Sequence, residues 1–181
     1  TSLIANKKVM AFSMDLKSYY HNIDIMIIND RDFNNDIGLN LDENEFFLNN
    51  TIASFISHWE ERISNLYRHK FGVELKAGLP IGLTCSKVIS NVILKILDDK
   101  IKENVKPIFY GRYVDDIFIV IEDAEFDGED DFLHFFSNKI GINNLEEISN
   151  ILSKYKTKTN LKVQEKKIKT FFLRGQSAQK F

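Results

Sequence analysis

Apolar and polar residues follow two different periods along the chain, and these periods predict both strands and helices. Residues 8–14 form an apolar run that is typical of a buried strand. From Glu45 to His69 apolar residues recur at helical spacing, so we expect one long helix there. Its stripe indicates a packed core face rather than a ligand site, and comprises Phe46, Phe47, Ile52, Phe55, Ile56, Trp59, Ile63 and Leu66.

Two runs of strand-forming residues lie close together and predict a β-hairpin. Residues 107–112 and 117–121 are rich in β-branched and aromatic side chains. Only Tyr113, Val114, Asp115 and Asp116 separate them, so these residues would form the tip. A second long helix is predicted before the hairpin. It is capped by Thr84 or Ser86, runs to about Asn104, and has a core face of Val88, Val92, Ile96 and Leu97.

The remaining elements are shorter, and their order predicts an α+β fold. The alternation strand–helix–helix–hairpin–helix–strand suits an antiparallel sheet with helices on one face, close to the split βαβ arrangement. This arrangement would bring Asp15 near Asp115. The other predicted segments are a short helix at 18–28, a polar loop at 29–44, a strand at 71–76, a connector at 123–131, helical segments at 132–140 and 144–157, and strands at 160–165 and 169–173.

Three carboxylates stand where these strands end. Asp115 and Asp116 are adjacent and repel each other, which a fold tolerates when a cation lies beside them, although ordinary turn chemistry is the alternative. Asp15 ends the first strand, where a helix N-cap is the alternative role. Carboxylates from two places in a fold are what two-metal phosphoryl transfer requires, because they clamp two Mg²⁺ ions about 3.5–4 Å apart.

Three segments in this order resemble the motifs of a reverse transcriptase palm. Residues 12–23, beginning Phe-Ser-Met-Asp, resemble the first catalytic motif of that family. Residues 78–86, Gly-Leu-Pro-Ile-Gly-Leu-Thr-Cys-Ser, continue to Asn91 and resemble the second. Residues 112–116, Arg-Tyr-Val-Asp-Asp, resemble the third. The resemblance covers roughly residues 8 to 122 and implies an RNA-directed DNA polymerase, a nucleotidyltransferase.

The resemblance also implies roles for individual residues. Asp15, Asp115 and Asp116 would be the catalytic carboxylates, and together with the backbone carbonyl of Leu16 they would ligate two Mg²⁺ ions, with Mn²⁺ as an alternative. The family keeps an aromatic ring where Tyr20 stands, under the nucleotide sugar, and that ring would clash with a 2′-hydroxyl. A core aromatic is the alternative role for Tyr20. The implied nucleotide-binding residues are Ser18, Tyr19, Tyr20, Ile81, Gly82 and Lys167, and Tyr113 and Val114 would lie near the primer end.

One departure from the family pattern concerns the second motif. The family usually has glutamine where this chain has Ile81, and an isoleucine side chain cannot form the hydrogen bond of that amide. A Gly-Leu-Pro-Ile-Gly loop resembles bacterial defence reverse transcriptases of the abortive-infection kind. Some of these make DNA without a template from a protein hydroxyl. Protein-primed, template-independent synthesis is therefore an alternative to templated copying.

The C-terminal part of the chain has weaker matches. Residues 160–167 resemble the family's next motif, in which Lys167 would act as a general acid or as a charge near the leaving pyrophosphate. The alternative is a solvated lysine cluster. Residues 171–175 resemble the primer-gripping hairpin, although the gap from Lys167 is short for it.

Composition limits the class of protein. With 181 residues, 44% hydrophobic and 28% charged, the chain is long enough for one folded domain and is not disordered. It has no apolar run that could span a membrane and no signal-peptide pattern. The single cysteine, Cys85, fits a reducing cytoplasm and is expected to be a packing residue.

Charge and length leave other questions open. The net charge of −2 is unusual for a nucleic-acid enzyme, although lysines cluster between Lys154 and Lys169 and could face phosphates or only solvent. The chain opens on Thr1, so we expect residues 1–181 to be a palm with partial fingers, from a larger polymerase with full fingers and thumb. Expected partners are deoxynucleoside triphosphates, an RNA template and a DNA or protein primer. A homo-oligomer and a non-catalytic palm scaffold remain open.

Overall fold

The computed structural model describes residues 9–73, 78–122 and 126–173, with only the backbone for Leu173. These residues form helices and a four-stranded antiparallel sheet, so the predicted α+β class is confirmed. The strands are β1 (Val9–Asp15), β2 (Phe109–Tyr113), β3 (Asp116–Glu122) and β4 (Lys169–Leu173). The α-helices are α1 (Arg31–Asp36), α2 (Glu43–Phe71), α3 (Thr84–Ile93), α4 (Lys95–Lys100) and α5 (Glu129–Ile140). Short 3₁₀ helices cover Tyr19–Asn22, Ile25–Asn29, Leu145–Leu152 and Glu165–Lys167.

The chain divides into two compact units. The sheet unit holds the described residues within 1–17, 97–148 and 162–181, and therefore contains all four strands. The helical unit holds those within 18–96 and 149–161, including α1, α2 and α3. Each unit is described here by itself.

The sheet has the strand order β2–β3–β1–β4, with every neighbouring pair antiparallel. This is the split βαβ order that the sequence predicts, because β3 lies between β1 and β2. Met10, Phe12 and Met14 are fully buried and pair with Ile121, Ile119 and Ile117. Side chains that lie directly opposite each other share a face, so these six form one apolar face of the sheet.

Helix α5 covers that apolar face. The ring of Phe12 lies 5.0 Å from the ring of Phe132 and 5.3 Å from that of Phe136, and both α5 side chains are fully buried. The opposite face is more open, since Phe118 on β3 and Phe109 on β2 are about half exposed. The asymmetry follows from the alternation of side chains along each strand, which places Asp15 and Asp116 on the more open face.

The helical unit differs from the sequence prediction in its first half. The helix expected at 18–28 is two 3₁₀ helices, and the polar loop expected at 29–44 contains α1. The Asp30 side chain caps α1 by accepting a hydrogen bond from the Phe33 N–H, so the Asn/Asp-rich composition marks a helix start. The long helix is confirmed as α2, which begins earlier than predicted because Asp42 and Glu45 form a capping box. Its predicted core face is wrong in part: Phe47, Phe55 and Leu66 are exposed, and Ile56 is the one residue of that stripe that is buried.

Other predictions were wrong in detail. Residues 71–73 of the strand expected at 71–76 do not form a strand, because α2 continues to Phe71 and Gly72 is its C-cap. Residues 74–77 lie outside the described ranges. The second long helix is broken into α3, α4 and a π turn over Ile101–Val105. Val88, which was predicted for its core face, is 59% exposed. In the described range 160–165 there is no strand, only one bridge between Val163 and Leu16.

Two further differences concern helix starts and the C-terminal segments. Neither Thr84 nor Ser86 caps α3: Leu83 is the N-cap, and the Ser86 hydroxyl is buried with no hydrogen-bond partner among the described residues. The helical segment at 144–157 is a 3₁₀ helix over Leu145–Leu152, and the predicted strand at 169–173 is confirmed as β4. Among the helices of the described ranges, none has both the length and the apolar composition for crossing a bilayer.

Candidate active site

The end of β1 and the tip of the hairpin bring two carboxylates face to face. Asp15 pairs directly with Asp116 in the antiparallel register of β1 and β3. The Leu16 N–H donates to the Asp115 carbonyl oxygen at 3.2 Å, which makes Leu16 and Asp115 the hydrogen-bonded pair of the ladder. Asp15 and Asp116 therefore form the next, non-hydrogen-bonded pair, in which Cα atoms lie only about 4.5 Å apart.

Asp115 lies beside this pair, at the tip itself. It is half-buried, Asp15 is buried and Asp116 is exposed. Burial raises the pKa of Asp115, and the charges of Asp15 and Asp116 raise it further, while its own backbone N–H and Lys167 act in the opposite direction. A carboxyl group whose pKa is raised by two neighbouring carboxylates belongs to a cluster of like charges.

Lys167 reaches the same cluster from the C-terminal part of the chain. Its Nζ donates to Asp15 Oδ2 at 3.0 Å, and this hydrogen bond raises the pKa of Lys167. The segment before it crosses the end of β1, since the Gln164 N–H donates to the Asp15 carbonyl at 2.8 Å and the Lys17 N–H to the Lys162 carbonyl at 2.7 Å. The structure thus places the Lys167 ammonium group at Asp15, while 55% of its side chain stays exposed to solvent.

The side chains around Asp15 offer oxygen atoms of the kind that hard divalent cations prefer. Within the ranges that the structure describes, no three Asp, Glu, His or Cys side chains are already arranged as an ion's ligands. One reason is visible: Lys167 Nζ holds the Asp15 oxygen that a metal would take. Burial is the main cause of the raised pKa of Asp115, and the charges of Asp15 and Asp116 add to it; a divalent cation would compensate these like charges, so the donor set fits a metal. The ligand role of the Leu16 carbonyl stays a prediction.

The hairpin tip has an unusual backbone. Val114 has φ +57°, a left-handed conformation that is strained for a β-branched residue. It is the first of the two residues between the paired Tyr113 and Asp116, a position where tight hairpin turns usually have glycine, asparagine or aspartate. Tyr113 beside it is 71% exposed.

The sequence analysis assigned no role to the residue that supports this tip, Arg112. Its Nη1 donates to the Val114 carbonyl at 2.7 Å, and its Nε and Nη2 donate to the two carboxylate oxygens of Asp98 at 2.8 Å each. The Tyr110 hydroxyl also donates to Asp98. Arg112 belongs to the third motif, but its partner lies on α4, and nothing in the spacing of the sequence singles Asp98 out.

In the helical unit, the two tyrosines of the first motif have different surroundings. Tyr19 is buried, and its hydroxyl donates to the Ser90 carbonyl at 2.6 Å, so any nucleotide contact would be through its backbone. Tyr20 is half-buried, and its hydroxyl oxygen accepts a hydrogen bond from Ser90 Oγ at 3.3 Å. Ser18 precedes them in a left-handed conformation, with φ +50°.

The second motif packs closely against Tyr20. The Leu79 N–H donates to the Tyr20 carbonyl at 2.9 Å, and a Cβ on Gly78 would lie 2.2 Å from that oxygen. The Gly78 N–H donates to Glu60 of α2 at 3.1 Å, a support that the sequence analysis missed. Further along the loop, Ile81 is 73% exposed and Gly82 has φ +91°. Gly78 is therefore the position where the loop requires glycine.

Comparison with known proteins is consistent with this arrangement. A search of curated protein sequences found no match. The family model described as reverse transcriptase (RNA-dependent DNA polymerase) matches residues 2–180, almost the whole chain. That family consists of RNA-directed DNA polymerases, which are nucleotidyltransferases that generally use divalent metal ions, nucleotides and a nucleic-acid template and primer. With its carboxylates paired across β1 and β3 and its three motifs in order, the chain belongs to the reverse transcriptase family.

Proposed function

We propose that this chain joins deoxynucleotides on an RNA template through Asp15, Asp115 and Asp116, which would hold two Mg²⁺ ions. The observation that carries the proposal is the register that sets Asp15 opposite Asp116 and next to Asp115, in a chain of the reverse transcriptase family. In this reaction the 3′-oxygen of the primer forms a bond to the α-phosphorus, and the bond from that phosphorus to pyrophosphate breaks. The bound ions supply activation of the attacking oxygen and charge neutralisation on the leaving group.

Asp15 and Asp116 would approach the ions from two neighbouring strands. A strand pair is a rigid support, so both carboxylates are held before any substrate arrives. Asp115 would release its proton when a cation binds, because the like charges that raise its pKa would then be compensated. The proposal therefore includes proton release from Asp115 on metal binding wherever its raised pKa leaves the carboxyl group protonated.

Lys167 would act on the leaving group. Its ammonium group is held within the acidic cluster by Asp15. A metal ion at Asp15 would displace it, which would leave a positive charge for the pyrophosphate oxygens, as the resemblance of residues 160–167 implies. While it is bonded to Asp15 its pKa is raised, so the group carries its positive charge before the metal binds.

Tyr20 would select deoxyribonucleotides. Its hydroxyl is bonded to Ser90 and its carbonyl to Leu79, so the residue is held at both its side chain and its backbone. The family resemblance assigns this ring to the sugar of the incoming nucleotide, where it would exclude a 2′-hydroxyl. Ser18, Tyr19, Ile81 and Gly82 are proposed as further nucleotide contacts, and Tyr113 and Val114 as primer contacts.

The test is incorporation of labelled deoxynucleotides on a primed RNA template, with Mg²⁺ titrated from zero. Asp115→Asn is the informative variant, since it removes the charge and keeps the shape. We expect incorporation to require Mg²⁺ or Mn²⁺ and to fall by at least about 10³-fold in the variant, a loss on the scale of several kcal/mol of transition-state stabilisation. Equal incorporation by Asp115→Asn would remove this carboxylate from the chemistry.

A second candidate function is protein-primed synthesis without a template, in bacterial antiviral defence. The observation that favours it is Ile81: the side chain is 73% exposed and offers no amide to an incoming nucleotide. Sequencing the product decides, because a product unrelated to the added RNA supports this version and a complementary product contradicts it. Ile81→Gln should raise templated incorporation if the missing amide is what limits copying. A plaque assay with wild-type and Asp115→Asn chains tests the defence role.

A further inference from the structure

The tip of the β2–β3 hairpin has a conformation that its own sequence does not favour. Val114 adopts φ +57°, although branching at Cβ makes the left-handed region unfavourable. The carboxylates of Asp115 and Asp116 follow immediately, and their charges repel each other and Asp15. Strain and repulsion both act to open the tip, so another part of the fold must hold it.

Arg112 makes the contacts that oppose this opening. Its guanidinium donates to the Val114 carbonyl at 2.7 Å, and the same group is anchored to both oxygens of Asp98 at 2.8 Å. The Arg112 and Asp98 side chains are only 9% and 11% exposed, so water competes little with these bonds. A planar guanidinium has donors in a fixed fork, and it can bind a carboxylate and a third acceptor at once.

The sheet separates this support from the proposed metal ligands. Arg112 pairs with Ile117 and Tyr110 with Ile119, so both side chains lie on the apolar face that α5 covers. Asp116 is one residue from Ile117 and therefore lies on the other face. Tyr110 donates to Asp98 as well, and its pKa is raised by burial and by the hydrogen bond to that carboxylate. Asp98 thus has three hydrogen bonds from β2 and is fixed on α4.

We propose that Asp98 and Arg112 are positioning residues that hold the Val114 carbonyl, and through it set the placement of Asp115 and Asp116 for metal binding. This inference rests on the proposed function of those carboxylates. Neither residue touches the reacting atoms, because they act from the opposite side of the sheet. The pair fixes the positions of the metal-binding carboxylates, so its loss should lower kcat more than it raises KM for the nucleotide.

The variant that tests this is Arg112→Lys. A lysine keeps the positive charge for Asp98, so the buried carboxylate stays paired, but its single ammonium cannot reproduce the fork that also reaches Val114. The matched control is Arg31→Lys, the same change at the exposed ion pair of Arg31 and Glu43. We expect Arg112→Lys to lower kcat by about 10–100-fold, as small displacements of catalytic groups do, with KM for the nucleotide within about threefold of wild type.

A second readout needs neither metal nor activity. The Leu16 N–H bonds to the Asp115 carbonyl, so its hydrogen exchange reports directly on the tip. In Arg112→Lys we expect Leu16 to exchange at least about tenfold faster, while Phe12 in the middle of β1 keeps its wild-type rate. Adding Val114→Gly should restore the slow exchange of Leu16, because glycine adopts φ +57° without strain. The kcat of the double variant should then approach that of Val114→Gly alone.

The outcomes separate the two proposals. Unchanged kcat and unchanged Leu16 exchange in Arg112→Lys would overturn the positioning role. Equal acceleration at Leu16 and Phe12 would also overturn it, since the pair would then support the fold as a whole. A wild-type chain that incorporates no nucleotide would instead contradict the proposed function, and the exchange of Leu16 would still decide whether Arg112 holds the tip.

Discussion

Lys167 and Asp15, separated by 152 positions, form a hydrogen-bonded ion pair of 3.0 Å. The lysine therefore occupies one carboxylate oxygen of the proposed metal site. A cation must compete with this ammonium group, and the competition couples metal binding to the position of Lys167. A residue proposed for the leaving group thus also influences when the site accepts an ion.

Replacing Lys167 should separate these two effects. Lys167→Met keeps the length of the side chain and removes its charge. We expect the Mg²⁺ concentration for half-maximal activity to fall, because nothing then competes for Asp15, and kcat to fall by about 10²–10⁴-fold, because the leaving pyrophosphate loses its proton donor. The measurement is a Mg²⁺ titration of initial rates. Lys166→Met, on the same short helix, is the control and should change neither quantity. An unaltered kcat in Lys167→Met would contradict its role at the leaving group.

The raised pKa of Asp115 predicts how stability depends on pH without metal. A carboxyl group whose pKa is higher in the folded state favours folding fully below its unfolded pKa, and loses that contribution as pH rises through the folded value. Asp115→Asn should therefore unfold at a higher temperature than wild type at pH 7, and this advantage should shrink towards pH 3.5. Thermal melts in EDTA at both pH values check this. Glu61→Gln, an exposed change on α2, should show no such difference. A lower melting temperature for Asp115→Asn at pH 7 would contradict the assignment.

Gly78 offers a prediction about folding. An alanine at this position would place Cβ 2.2 Å from the Tyr20 carbonyl and would have to adopt φ +59°. The left-handed conformation alone costs about 1–2 kcal/mol, so we expect Gly78→Ala to lose more than that from its free energy of unfolding. Gly82→Ala is a matched control: φ is +91°, yet no described atom lies within 4 Å of its Cβ, so only backbone strain remains. Urea denaturation of both variants compares the two, and an equal loss would show that the close approach at Tyr20 adds nothing.

Sugar selection by Tyr20 can be measured through its hydrogen-bond partner. Tyr20→Ala should increase kcat/KM for ribonucleotides relative to deoxyribonucleotides by roughly 10–100-fold, since the ring that would meet the 2′-hydroxyl is gone. Ser90→Ala removes the bond from Ser90 Oγ to the Tyr20 hydroxyl and should shift the same ratio by a smaller factor. Asn91→Ala, a change at the next position of α3, is the control. A ratio that is unchanged in Tyr20→Ala would leave Tyr20 as a core aromatic.

Patterns within short segments predicted much of this fold. The strand β1, the hairpin and the helix α2 were predicted from the sequence, because each element is specified by its own side chains. The predicted core face of α2 was wrong in part, since Phe47, Phe55 and Leu66 are exposed and burial depends on what packs against a helix. The convergence of Asp15 with Asp115 followed from topology, and the structure confirms the pairing of the two strands. Lys167 was proposed from the family resemblance. Its contact with Asp15 joins residues 152 positions apart, so no pattern within a short segment predicts it.

The predictions failed where tertiary contacts or helix capping determine the secondary structure of a segment. The Asn/Asp-rich composition before α2 predicts a loop, but Asp30 and Asp42 use the same side-chain chemistry to cap helix starts. The segment 160–165 has strand-forming residues, yet it meets β1 only at Val163. The role of Asp98 could not be predicted from the sequence, because it depends on Arg112, which lies 14 positions further along the chain on β2.

The register of β1 against β3 has one more consequence. If β1 shifted by a single residue, every one of its side chains would change sides, because strand side chains alternate. Asp15 would turn towards α5, and Met10, Phe12 and Met14 would leave the interior for water. The apolar face of β1 therefore also fixes the position of Asp15. A shift of one residue would displace this carboxylate and destabilise the fold at the same time.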